Sequence, residues 1–136
     1  MFSTTSEYAL RAIVAVVRAN KESGVQAREL ARETGVPSSY LYKILATLRR
    51  SGILSGSRGS HGGYHLGREP HEIPLIDIVS LFEVVRTNKA CLLSETQPCD
   101  DTNLCSAHQH WEHVQRTYLD FLTTKTIADL ASPRSE

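Results

Sequence analysis

Between Gln26 and Leu48 the chain carries two short helical runs that meet at Gly35, and this junction constrains the fold more than any other stretch. The first run spans about Ala27 to Thr34, with Leu30 packing it and Ala31 small enough to let a second helix come close. Gly35 stops it and supplies the positive φ that a tight turn needs. Val36-Pro37 then restarts the chain, and Ser38 is placed to cap a helix that reaches Arg50 and ends at Ser51-Gly52. Val36, Leu41 and Ile44 form its inner face. Such offsets predict a helix-turn-helix. An unspecialised helical hairpin is the competing reading, and the segment that follows argues against it.

That segment reads as two short strands, Ile53 to Arg58 and Tyr64 to Leu66, around a glycine-rich tip running from Gly59 to Gly63. Glycines there remove side chains and let backbone approach another backbone closely. A phosphate-cradling nucleotide loop is disfavoured, because no helix and no Lys-Ser/Thr follow the glycines. A hairpin wing that carries Arg58, Ser60 and His61 to nucleic acid fits better, since arginine is drawn to a narrow minor groove. On the second helix the outward positions are Ser38, Ser39, Tyr40, Tyr42, Lys43, Thr47 and Arg50. Hydroxyls and free N–H groups at its start suit phosphates, and Lys43 is placed to reach a guanine edge in the major groove. Arg49 is read equally well as a group that offsets the helix dipole.

Charge supports a polyanion-binding half. The formal net charge of the 136 residues is zero, which taken alone argues against nucleic acid. Residues 1–68, however, hold ten Lys and Arg against Glu7, Glu22, Glu29 and Glu33, a balance of +6, whereas residues 69–136 stand at −6. The predicted organisation follows the same division. Residues 1–68 form a DNA-binding domain that includes an opening helix from Thr4 or Thr5 to about Asn20. Residues 69–136 hold a fourth helix striped by Leu75, Ile78, Val79, Phe82 and Val85, a Cys-containing loop at 88–105, and a final long helix. Trp111, Val114, Tyr118, Leu119 and Leu122 line one face of that last helix. The fold class is mainly α, a winged helix-turn-helix with a small β-hairpin and a long C-terminal helix.

These segments together resemble the Rrf-two family of winged-helix transcription regulators, which includes IscR, NsrR and RirA. The resemblance covers nearly the whole chain. It rests on Tyr8-Ala9-Leu10-Arg11-Ala12, on Ser39-Tyr40-Leu41, on the wing Arg58-Gly59-x-x-Gly62-Gly63-Tyr64-x-Leu66, and on three downstream cysteines. It implies a homodimer on double-stranded DNA with a palindromic operator, the long C-terminal helix crossing to the partner.

Cys91, Cys99 and Cys105 are odd in number and lack the C-x2-C pair usual at structural zinc. Three thiolates on one loop suit one face of an iron–sulfur cluster, which then requires a fourth ligand. His108, one helical turn beyond Cys105, is favoured. Its rival is Glu7, at a place where the resemblance implies an acidic ligand from the partner subunit. The run from Cys105 to Trp111 resembles IscR and its 2Fe–2S cluster, whereas the wide Cys91–Cys99 gap resembles RirA and 4Fe–4S; the 2Fe–2S form is slightly favoured.

The expected function is a DNA-binding transcriptional regulator, not an enzyme, whose cluster senses iron, nitric oxide or redox state. A cluster-free thiol-based redox regulator is the alternative, followed by a small redox or metal-binding protein. The longest apolar run, Ala12 to Val17, is too short for a bilayer and no cleavage site follows it, so a cytoplasmic location without membrane association is expected.

Overall fold

The computed structural model describes residues 2–56, 62–85, 91–94, 97, 102 and 104–133. Helix α1 spans Thr4–Ala19 and is opened by Ser3, whose Oγ accepts a hydrogen bond from Ser6 N at 3.1 Å, so the cap lies one residue earlier than the threonines suggest. Ala9, Leu10, Ala12, Ile13 and Val16 make its buried face. Helix α2 covers Ala27–Thr34, and Gly35 closes it in the left-handed region at φ 72° with its N–H on Ala31 O at 3.0 Å. Helix α3 covers Ser38–Arg50. Ser38 is its first helical residue, not its cap; Pro37 holds that place, and its carbonyl accepts from Leu41 N at 2.9 Å. Proline's fixed φ sets up the turn without a side-chain cap.

The wing is a two-stranded antiparallel ribbon, β1 (Leu54–Gly56) and β2 (Tyr64–Leu66), with Leu54 opposite Leu66. It is fastened to the turn before α2, because Val25 and Tyr64 exchange both backbone hydrogen bonds at 3.0 and 2.8 Å. Gly24 and Gly63 make this possible. A Cβ on Gly63 would lie 2.6 Å from Ser23 O and 2.7 Å from Gly24 C.

After a 3-10 turn at Pro70–Glu72, helix α4 is only Leu75–Val79. The apolar stripe anticipated through Val85 continues, but as turns: Leu81 and Phe82 bond back three residues, to Ile78 and Val79. Helix α5 covers His108–Thr124. The long final helix then breaks at the extended Lys125, and a separate helix α6, Ile127–Ala131, begins in a reciprocal capping box between Thr126 and Asp129. Leu75 N donates to Lys125 O and Ile127 N to Ile73 O, at 2.9 and 3.0 Å, on either side of an antiparallel bridge that pairs Pro74 with Thr126. Arg18 of α1 donates to the carbonyls of Leu130 and Ala131. One apolar cluster therefore runs from α1 through α3 and β1 to α4, Leu122 and Ile127. Among the described residues no helix is long and apolar enough to cross a membrane.

The Gly24–Gly63 contact leaves no room for a methyl group. Gly63→Ala should lower unfolding free energy by about 1–3 kcal/mol, read as a lower denaturant midpoint. An unchanged midpoint would show that the wing is not anchored there.

Candidate nucleic-acid interface and cysteine segment

Helix α3 buries Leu41, Ile44, Leu45 and Leu48 almost completely, so its remaining positions face outward. Ser38, Ser39, Tyr40, Tyr42, Lys43, Arg49 and Arg50 are exposed, and Tyr42 keeps 56% of its surface in solvent. Thr47 is half-buried; its Oγ1 donates to Lys43 O at 3.2 Å and accepts from Arg50 Nη2 at 3.3 Å, which draws the Arg50 side chain along the helix. Tyr40 is not a free hydroxyl. It hydrogen-bonds Thr5 Oγ1 and meets the Tyr8 ring edge-on at 5.5 Å, with the Arg11 guanidinium 5.7 Å from the Tyr8 ring centroid. The sequence places Tyr40 outward but holds no sign that α1 engages it. Arg58, Ser60 and His61, the wing-tip candidates, lie outside the described residues. At the base of the wing, His65 Nε2 and Glu22 O are 2.7 Å apart.

Of the three cysteines, Cys91 is half-buried and Cys105 exposed, both as free thiols, while Cys99 lies outside the described residues. Cys91 sits in a tight turn: its carbonyl accepts from Ser94 N at 3.1 Å and its Sγ from Leu93 N at 3.4 Å. Cys105 and His108 share one turn, with His108 N donating to Cys105 O at 3.1 Å. The His108 ring is 13% exposed. Its Nε2 lies 3.8 Å from Glu112 Oε2, while its Nδ1 is buried and has no hydrogen-bond partner among the described residues. A buried imidazole nitrogen without a partner is costly unless something binds it, and a carboxylate beside the other nitrogen is the usual arrangement around a ligating histidine. The residues present therefore suit a metal-centred group. Glu7 is exposed on the first turn of α1. Among the described residues no three His, Cys, Asp or Glu side chains come together as a metal-binding group.

Glu83 is a polar site that the sequence does not reveal. Its Oε2 accepts from Ser3 N at 2.8 Å and from the fully buried Ser6 Oγ at 2.6 Å. Partial burial pushes its carboxyl up, but the hydrogen bonds from Ser6 and Ser3 outweigh this and hold it below the ordinary glutamate value. Burial pushes the Tyr118 phenol up, and the charge of Glu83 adds to that. No local pattern links Glu83 to residues 77 and 80 positions away.

Along α5, Phe2, His113, Val114, Thr117, Tyr118 and Phe121 line an open, mostly apolar groove of about 430 Å³. Val114 and Phe121 are 43% and 39% exposed, and Leu122 is the helix's one buried residue.

The Rrf2 family profile, described as an iron-dependent transcriptional regulator, matches residues 2–133. A protein of Aquifex aeolicus assigned to the HTH-type transcriptional regulators is 33% identical over 132 residues, covering 96% of this chain and 90% of that one. The solved structure of T. potens IscR is 26% identical with a TM-score of 0.72, covering 96% of this chain and 85% of the other. CymR, the global cysteine regulator of B. subtilis, shares the fold at a TM-score of 0.78 and 23% identity, over 99% and 98% of the two chains. A winged helix-turn-helix with an outward, basic second helix and a cysteine segment before α5, matched along almost its full length, is a member of a known group: the chain belongs to the Rrf2 family of transcriptional regulators.

Proposed function

We propose that the chain is a homodimeric, cytoplasmic, DNA-binding regulator, not an enzyme, whose hold on a palindromic operator is set by the state of its cysteine segment. The observation that carries the DNA reading is the outer face of α3. One helix side is closed by four buried aliphatic residues, and the other presents Ser38, Ser39, Tyr42, Lys43 and Arg50 to solvent. Ser38 and Ser39 stand at the helix N-terminus, where hydroxyls and free N–H groups take phosphates. Lys43 is one turn further along and serves as a donor to a guanine edge. Tyr40 and Thr47 make part of the surface while being held by Thr5 and by Arg50, and on the sequence reading Arg58, Ser60 and His61 add DNA contacts from the wing. Residues 1–68 thus bind DNA, and residues 69–136 pair the subunits and sense. The exposed Val114 and Phe121 along α5 support pairing through that helix.

For the sensing group we favour an iron–sulfur cluster on Cys91, Cys99, Cys105 and His108, with 2Fe–2S slightly ahead of 4Fe–4S and Glu7 of a partner subunit as the rival fourth ligand. The support is the buried His108 Nδ1, which has no partner among the described residues and lies one turn from Cys105, together with the family's description as iron-dependent. Such a cluster, when bound, supplies a centre that responds to iron supply, nitric oxide or oxidants. The chain's own part is to hold the thiolates on one segment and to keep the His108 ring oriented by Glu112, itself paired with Arg116 at 3.3 Å. The exposed Cys105 thiol sustains a second reading, a thiol switch without metal.

Selection of genomic DNA fragments on the purified protein should recover a two-fold symmetric site with half-sites about one helical turn apart, or a multiple of it. Lys43→Ala should cost about 1–3 kcal/mol on that site and relax its sequence preference. Arg58→Ala should instead flatten the salt dependence by about one counterion. Recovery of only sequence-independent binding would defeat the operator reading.

Protein purified without oxygen should contain iron and acid-labile sulfide in proportion. His108→Ala should lose iron faster than wild type, and Glu7→Ala should not. Protein that remains colourless and iron-free after reconstitution would reject the cluster and leave the thiol switch; faster loss from the Glu7 variant alone would exchange the fourth ligand.

A further inference from the structure

The first turn of α1 is gripped from three directions. On one side, Ser3 N and Ser6 Oγ both donate to Glu83 Oε2, at 2.8 and 2.6 Å. On another, Thr5 Oγ1 bonds the Tyr40 hydroxyl, and the Tyr8 ring meets Tyr40 edge-on. Just before the helix, Phe2 lies against Tyr118 of α5 with ring centroids 5.8 Å apart. Residues three apart share a helix face, so Ser3 with Ser6 and Thr5 with Tyr8 form two handles on one rigid turn. The handles reach different parts of the molecule. Glu83 ends the turns after α4, at the root of the segment that leads to Cys91. Tyr40 stands in the first turn of α3.

We infer that Glu83 is a positioning residue for DNA recognition: by fixing the first turn of α1 it sets, through Thr5 and Tyr8, where Tyr40 and the N-terminal turn of α3 stand. This rests on the reading of α3 as the helix that contacts DNA. Glu83 is not needed to start α1, because Ser3 Oγ already caps Ser6 N. Its two hydrogen bonds attach an already capped helix to the chain just after α4. The attachment is strong for its size. A carboxylate at a helix N-terminus is favoured by the helix dipole, and hydrogen bonds to an ionised acceptor are shorter and stronger than neutral ones. Without Glu83, the fully buried Ser6 hydroxyl loses its carboxylate acceptor and keeps only the hydrogen bond that its Oγ accepts from Ser3 Oγ at 3.1 Å. The turn would then be free to shift, and Tyr40 with it. A displacement at the root of the cysteine segment reaches the DNA-facing end of α3 by the same route, through one helical turn and the side chains of Glu83, Ser6, Thr5, Tyr8 and Tyr40.

The test is amide hydrogen exchange on the full chain, run beside DNA binding, for wild type, Glu83→Ala, Glu83→Gln and Ser6→Ala. Glu83→Ala should speed exchange in the first turn of α1 and also at Leu41 N, whose bond to Pro37 O closes the first turn of α3, while Leu45 and Leu48 stay protected. Its affinity for the selected genomic fragment should fall roughly tenfold, with affinity for a random-sequence duplex unchanged. Glu83→Gln keeps a carbonyl acceptor and should recover most of both effects. Should Glu83→Ala not fold, Ser6→Ala removes one of the two bonds and carries the same comparison. Faster exchange confined to residues 3–8 and 80–85, with Leu41 N and operator affinity unchanged, would overturn the positioning role. Failure of the wild type to select any site would defeat the DNA reading alone, since the exchange pattern still decides whether Glu83 and Tyr40 are coupled.

Discussion

Everything in this molecule depends on burying the inner face of α3. Leu41, Ile44, Leu45 and Leu48 are at most 2% exposed, and each buried aliphatic side chain contributes about 1.5–3 kcal/mol before ordering costs are counted. Small residues make the burial possible. Ala9 and Ala12 on α1 are fully buried in the same cluster, where a larger side chain would hold the helices apart. Once that face is sealed, the rotation of α3 about its axis is determined, and so is the row of polar and basic residues on its other side. Which way that row faces about the helix axis follows from a packing requirement, while Thr5 and Tyr8 of α1 hold its N-terminal end through Tyr40.

The neutral total charge conceals an uneven distribution along the chain. In the N-terminal half, the exposed Lys43, Arg49 and Arg50 stand on the outer side of α3. Two of that half's four carboxylates also have local work. Glu29 is paired with Lys21 at 2.7 Å, a hydrogen bond that holds its carboxyl below the usual range, and Glu7 sits in the first turn of α1, where the helix dipole favours it. The C-terminal half spends carboxylates on caps and attachments: Asp129 caps α6, Asp77 pairs with Arg68 at 3.0 Å, and Glu83 ties α4 to α1. Net charge averaged over the chain therefore says little about its partners; its distribution over the elements says more.

The parts legible in the sequence are those governed by neighbours along the chain. The bounds of α2 and α3 follow from Gly35, Pro37 and Ser51-Gly52, and the positive φ at Gly35 follows from the turn itself. The break at Lys125 was also written locally, in Thr126 and Asp129 three residues apart, but a continuous apolar stripe masks it. The shortness of α4 was not legible, because its apolar spacing persists through Val85 while the backbone tightens into turns. Least visible of all were contacts between distant residues. Ser6 reads as an ordinary polar residue of a first helical turn, yet it is the one fully buried polar residue among those described, and its acceptor lies 77 positions away. Likewise Tyr40 sits at an outward position by periodicity, and only the placement of α1 reveals that Thr5 and Tyr8 hold it.

Regulation on this architecture has to obey reciprocity. An effector of a transcriptional regulator can change DNA affinity only by as much as its own affinity differs between the DNA-bound and free forms, and DNA must change its affinity by the same factor. A coupling of about 1–3 kcal/mol, the usual size, is comparable to one or two charge-assisted hydrogen bonds, and that is the scale of the Ser3–Glu83–Ser6 attachment. A close-packed hydrophobic cluster has low compressibility and transmits a displacement as a unit. Polar contacts at its margin can be exchanged for water at modest cost. The first turn of α1 lies at that margin. It touches α5 through Phe2, the chain after α4 through Ser3 and Ser6, and α3 through Thr5 and Tyr8, so three separate parts of the fold meet within seven residues.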